Sequence, residues 1–102
     1  MDIKYRKAAG GLTVYMSGEL DEYSASTAKD ILDKLICDNA NSKKFIFDLS
    51  GVSFMDSTGI GLLIGRYKKL KHFNIPSYIS GTSVATEKVL QLSGIYSIMP
   101  KF

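Results

Sequence analysis

Residues 45–70 read FIFDLSGVSFMDSTGIGLLIGRYKKL, and a change of pattern inside this stretch decides the fold. Phe45-Ile46-Phe47-Asp48-Leu49 is a short, almost continuous apolar run, the pattern of a strand buried on both faces. Ser50 to Met55 reads as a connection. From about Ser57 to His72 the apolar residues take up helical spacing, with Ile60, Leu63, Tyr67 and Leu70 on one side. Asn74-Ile75-Pro76 ends that helix, because proline disfavours a helical residue before it.

Working outward, Ile3–Lys7 and Leu12–Ser17 read as strands joined by Ala8-Ala9-Gly10-Gly11. Leu12, Val14 and Met16 alternate with Thr13, Tyr15 and Ser17, and the glycine pair suits a tight hairpin. Gly18-Glu19-Leu20-Asp21-Glu22 is an acidic connection. A helix over Ser24–Asn39 carries Ala28, Ile31, Leu32, Leu35 and Ile36 at spacings of three and four. Beyond the proline, Ser77–Ser80 predicts a strand, Ser83–Ser93 a helix and Ile95–Met99 a last short strand. The order ββαβαβαβ predicts one α/β domain over residues 1–102. Its sheet is mixed, four- to five-stranded, with helices as the crossovers that parallel strands require.

Composition narrows the function. Thirteen Lys and Arg against ten Asp and Glu leave a net charge of only +3. The dense basic stretch Arg66, Lys68, Lys69 and Lys71 reads as a solvated surface without an aromatic-interleaved platform, so direct nucleic-acid binding is not expected. The single cysteine excludes an internal disulfide and a multi-thiolate metal site, and no cofactor is expected. No apolar run suggests a signal peptide or a membrane span, which points to the cytoplasm. Cys37 reads as a core thiol and His72 as a surface imidazole on another helix, so nucleophilic catalysis finds no constellation and an enzyme is not expected.

The informative residues lie where strand gives way to helix. Asp56, Ser57 and Thr58 are residue types that accept hydrogen bonds from unpaired N–H groups at a helix start. Gly59, Gly61 and Gly65 need another reason, since each costs about 1 kcal/mol relative to alanine inside a helix. At 100° per residue, Ser57, Gly61, Gly65, Lys68 and His72 share one side. That side is a surface strip which begins with a hydroxyl and is nearly bare behind it, giving another protein's backbone or a nucleotide access to Ser57. A phosphate on Ser57 would sit at the positive end of the helix and add about −1.5 to −2 charges beside Asp56. Glu19, Asp21 and Glu22 join the same rim if the second and third strands are neighbours. Gly59-x-Gly61 lacks the third glycine of a dinucleotide fingerprint, and no Gly-Lys-Ser/Thr follows for a P-loop.

The run from Phe47 to Lys68, with Met55-Asp56-Ser57-Thr58-Gly59-Ile60-Gly61 at its centre, resembles the signature of the STAS domain. More narrowly it resembles the bacterial anti-sigma-factor antagonists of the sporulation type. Gly18-Glu19-Leu20-Asp21 and Leu92-Ser93-Gly94-Ile95 are similar to two further blocks of that family in the same order. The resemblance implies a binding protein that captures an anti-sigma-factor serine kinase of the GHKL type and thereby releases a sigma factor. It implies phosphorylation of Ser57 by that kinase, ending the binding, and a PP2C-like phosphatase that restores it. The partner-binding residues expected on these grounds are Glu19, Asp21, Asp56, Thr58, Gly59, Gly61, Leu62 and Gly65, on a chain that is monomeric when free. The family leaves another role open, as a stress-signalling scaffold subunit or a lipid-transport accessory. Many relatives continue into a further helix beyond the point matching Phe102.

Overall fold

The computed structural model describes residues 1–102. Strands β1 (Asp2–Ala8) and β2 (Gly11–Leu20) form an antiparallel hairpin. Its two-residue turn has positive φ at both Ala9 (52°) and Gly10 (81°), the primed geometry that matches strand twist. Helix α1 (Glu22–Asp38), strand β3 (Lys44–Met55), helix α2 (Ser57–His72), strand β4 (Ser77–Thr82) and helix α3 (Val84–Ser93) follow. The sheet order is β1-β2-β3-β4, with β2, β3 and β4 parallel.

One core holds these elements together. Leu12, Val14 and Met16 of β2, Phe45, Phe47 and Leu49 of β3, and Ile79 of β4 point to the same side of the sheet. They join Leu32 of α1, Leu63 of α2 and Leu90 of α3 in a single cluster of 22 buried residues. All three helices therefore lie on one face, as right-handed crossovers between neighbouring parallel strands require. Ile46 is buried to 7% exposure yet stands outside that cluster, because it belongs to the opposite, helix-free face.

Several expectations change. Gly18, Glu19 and Leu20 are the end of β2 rather than a connection, and β3 runs on through Ser50–Met55. Register shifts in the β2–β3 pairing break the alternation there, as bulges do. Ile95–Met99 is not a strand. Gly94 caps α3 in the left-handed conformation (φ 76°), and a single turn of 3₁₀ helix follows over Ile95–Ser97. The free edge of β4 is instead met by the last residues: Ile79 N–H donates to Pro100 at 3.0 Å, and Phe102 N–H donates to Ile79 at 2.9 Å. Ile31 is 43% exposed, and Cys37 is an exposed thiol rather than a core one. Arg66 is buried, not solvated. Its Nε lies 2.8 Å from Asp33 of α1, a carboxylate also approached by Lys29 at 3.3 Å and Lys69 at 3.7 Å.

The C-terminal segment is held by Glu87 near the start of α3. Its carboxylate accepts hydrogen bonds from Thr82 Oγ1, Tyr96 Oη (2.8 Å) and Gln91 Nε2 (3.1 Å) and pairs with Lys101 at 2.6 Å. The Lys101 ammonium first, then the Thr82 and Tyr96 hydroxyls, draw the Glu87 pKa down to about 2. Burial, and then the bond to that carboxylate, push the Tyr96 phenol up.

Candidate functional site

Strand β3 delivers the chain to the start of α2, where Asp56 takes the N-cap position in extended backbone (φ −116°, ψ −168°). Its carboxylate accepts from Thr58 N–H at 2.9 Å and Gly59 N–H at 3.3 Å, two of the four donors a helix start leaves unpaired. The carbonyl of Asp56 accepts the first intrahelical bond, from Ile60 N–H at 3.2 Å. Ser57 is the first residue of the helix and is exposed. Its hydroxyl carries no intramolecular hydrogen bond, while Asp56 alone serves the neighbouring backbone donors.

The three glycines separate into two kinds. A Cβ at Gly61 or Gly65 would have nothing within 4 Å, so these positions form an open, flat strip one and two turns behind Ser57. Gly59 is buried. A Cβ there would meet Met55 Cγ at 2.6 Å and the Leu20 carbonyl oxygen at 3.0 Å. Gly59 thus lets the helix start sit tightly on the ends of β2 and β3, and it is not part of the exposed strip. Leu62 is likewise buried to 7% exposure, on the core side. With exposed Thr58, it borders a shallow groove between α1 and α2 that also includes Ala25, Ser26, Lys29 and Arg66.

The acidic residues join this rim, because β2 and β3 are neighbours with Glu19 opposite Phe54 and Leu20 opposite Met55. Glu19 and Glu22 are exposed. Asp21 caps α1, accepting from Tyr23 N–H at 3.0 Å and Ser24 N–H at 3.1 Å. Lys68 and His72 lie exposed toward the far end of α2. What sequence reasoning missed is the cation cluster on Asp33: Lys29, Arg66 and Lys69 leave a local surplus of positive charge beside the strip. Spacing within one helix could not show it, since Asp33 comes from the other helix.

A one-sided mixed sheet whose central strand feeds a capped, glycine-marked helix is a family architecture. The STAS-domain profile matches residues 2–102, and the chain belongs to the STAS-domain family. Among its relatives, the anti-sigma F factor antagonist of Paenibacillus polymyxa is 28% identical over 100 residues, covering 98% of this chain and 85% of that protein. The anti-sigma-B factor antagonist of Staphylococcus aureus (strain NCTC 8325 / PS 47) is 31% identical over 86 residues, covering 84% and 78%. In fold, the chain is similar to the anti-sigma factor antagonist SpoIIAA in its unphosphorylated form, with a TM-score of 0.80, 24% identity and 99% and 88% coverage. An anti-sigma factor antagonist from Mycobacterium paratuberculosis gives a TM-score of 0.86 at 24% identity, covering 99% and 84%. No helix is long and apolar enough to cross a membrane.

Proposed function

We propose that this chain is an anti-sigma-factor antagonist, a binding protein rather than an enzyme, switched by phosphorylation of Ser57. Unphosphorylated, it docks an anti-sigma-factor serine kinase on the start of α2, with Gly61 and Gly65 allowing close approach and Glu19 supplying a carboxylate at the rim. Kinase capture frees the sigma factor. Asp21, Asp56 and Gly59 serve this face by holding its shape, through two caps and one tight contact. Thr58 and Leu62 border the groove beside it.

The observation that carries the proposal is the free, exposed Ser57 hydroxyl at the first position of α2 with the bare strip behind it. A phosphate there meets helix N–H groups that favour an anion by about 0.3–1 kcal/mol, so the fold tolerates it. On the surface the same group adds about −1.5 to −2 charges to a rim that already holds Asp56, Glu19 and Glu22. A partner fitted to the neutral strip is displaced by its bulk and charge, and a PP2C-like phosphatase resets the site.

The test is phosphorylation by an anti-sigma kinase with ATP, followed by fragment-ion localisation. The tryptic peptide from Phe45 to Arg66 also contains Ser50, Ser53 and Thr58, so the position within it must be resolved. Label on Ser57, abolished in Ser57→Ala, is the expected result. Label confined to any other residue removes the proposed switch.

A further inference from the structure

The face of the sheet turned away from the helices has a composition of its own. Pairing register places its residues in rows: Arg6, Thr13, Ile46 and Tyr78 in one, then Lys4, Tyr15, Asp48 and Ser80 in the next. Lys44 lies in the row before, opposite Gly11. Tyr15 is 42% exposed and Phe102 64% exposed. Phe102 meets the Tyr78 ring edge-on at 5.4 Å, and the Lys44 ammonium sits 4.9 Å from the Phe102 ring centre. Each row thus carries one cation on β1 and one aromatic ring further across, with Ile46 as the apolar floor between them. From strand geometry, Tyr15 and Tyr78 are about 10 Å apart across the sheet and about 7 Å along it.

Charge on this face is only partly cancelled, with Lys4, Arg6 and Lys44 standing against the carboxylates of Asp2 and Asp48. Asp48 is held by Ser50, accepting from its N–H at 3.0 Å and its hydroxyl at 2.6 Å, and Asp2 lies 3.9 Å from Lys4. Arg6 and Lys44 form no ion pair, nor does Lys43 at the hairpin end of the sheet, whereas Lys7, opposite Leu12, belongs to the helix-covered side. Lys43 is fixed there by its N–H bond to Gly10 (2.8 Å). These three cations, Arg6, Lys43 and Lys44, come from two separate segments, which is why no basic platform is visible in the linear sequence.

We infer that this helix-free face binds single-stranded nucleic acid, with Tyr15, Tyr78 and Phe102 stacking bases and Arg6, Lys43 and Lys44 meeting phosphates. Exposed rings beside uncompensated cations are the combination that single strands recognise without sequence preference. A duplex buries its base faces and gains only the charge term. The surface lies at the other end of β3 from Ser57, so the inference is independent of the proposed switch.

The test is fluorescence anisotropy of the full chain with short labelled single-stranded DNA and RNA. Binding is expected at micromolar concentrations in low salt, with log K falling against log salt at a slope of about −2 to −3 for three or four phosphate contacts. Tyr15→Ala should weaken it about tenfold while Tyr15→Phe keeps it, since stacking needs the ring. Arg6→Glu, at an exposed strand position, should weaken it and flatten the salt slope. Ser57→Asp should leave it unchanged. Absence of binding in low salt overturns the inference. So does equal affinity for duplex DNA with no effect of Tyr15→Ala, which marks bulk charge alone. Binding to vesicles of equal parts phosphatidylcholine and phosphatidylglycerol without binding to oligonucleotide overturns it in favour of a membrane surface.

Discussion

The starts of α1 and α2 use the same residue for the same task and end in different states. At α1, Asp21 caps Tyr23 and Ser24, while Ser24 Oγ accepts from Asp21 N–H at 3.1 Å and donates to the Glu19 carbonyl at 2.8 Å. This is a closed capping box, with both side chains committed to the fold. At α2, Asp56 caps Thr58 and Gly59, nothing reaches back, and Ser57 keeps its hydroxyl free. A helix start can thus be capped well enough to hold while leaving a nucleophilic oxygen unengaged. The first arrangement commits its serine to the fold; the second leaves a serine hydroxyl unengaged.

Substitutions at the two starts, followed by chemical denaturation, can break this contrast. The largest effect is expected at Gly59→Ala, destabilised by about 2 kcal/mol, because a Cβ 2.6 Å from Met55 and 3.0 Å from a backbone oxygen forces the helix off the sheet. Next, Ser24→Ala should cost about 1 kcal/mol through loss of the box, whereas Ser57→Ala should change stability by less than about 0.5 kcal/mol. Equal costs at the two serines would show that Ser57 is structurally engaged after all. Gly61→Ala should stabilise the fold by about 1 kcal/mol, the helix-propensity difference, since its Cβ meets nothing. The same change should weaken kinase binding, and unchanged affinity would argue against docking on the strip.

The start of α3 offers a third case, read by pH. Ser83 caps it, accepting from Thr86 N–H at 3.3 Å, and Glu87 is ionised with a pKa lowered from 4.5 to about 2. A depressed carboxylate pKa stabilises the fold above the unfolded value, and the gain is lost as pH falls from about 4.5 through about 2. Acid titration of Glu87→Gln should lack that part of the loss. A wild-type acid limb unchanged by the substitution would show that the C-terminal tie contributes nothing.

Much of this was legible in the residues. Helix α2 has the bounds its spacing predicts, Ser57–His72, because its cap, its apolar side and its terminating Asn-Ile-Pro are all local signals. The hidden parts depend on contacts distant in sequence. Strand β3 continues past Leu49 because β2 pairs with it through Met55, which its own irregular alternation conceals. Arg66 belongs to a basic run and becomes buried only because Asp33 arrives from α1. Ile95–Met99 has strand-like residues, yet the left-handed Gly94 turns it into a 3₁₀ step and Pro100–Phe102 take the sheet edge. The Ser57 hydroxyl was identifiable from type and position, but the division of the glycines into one packed and two open was not. That division rests on Leu20, which lies 39 positions earlier in the chain and meets Gly59 through the sheet.

The central claim is that one phosphate added at Ser57 dissolves an otherwise intact docking face. The direct measurement is a calorimetric titration of an anti-sigma-factor kinase with the unphosphorylated chain and with the chain phosphorylated at Ser57, both checked for native circular dichroism. The phosphorylated form should bind roughly 100-fold more weakly, as for a charge desolvated without a partner at an interface, with its fold unchanged. Equal affinity of the two forms would contradict it.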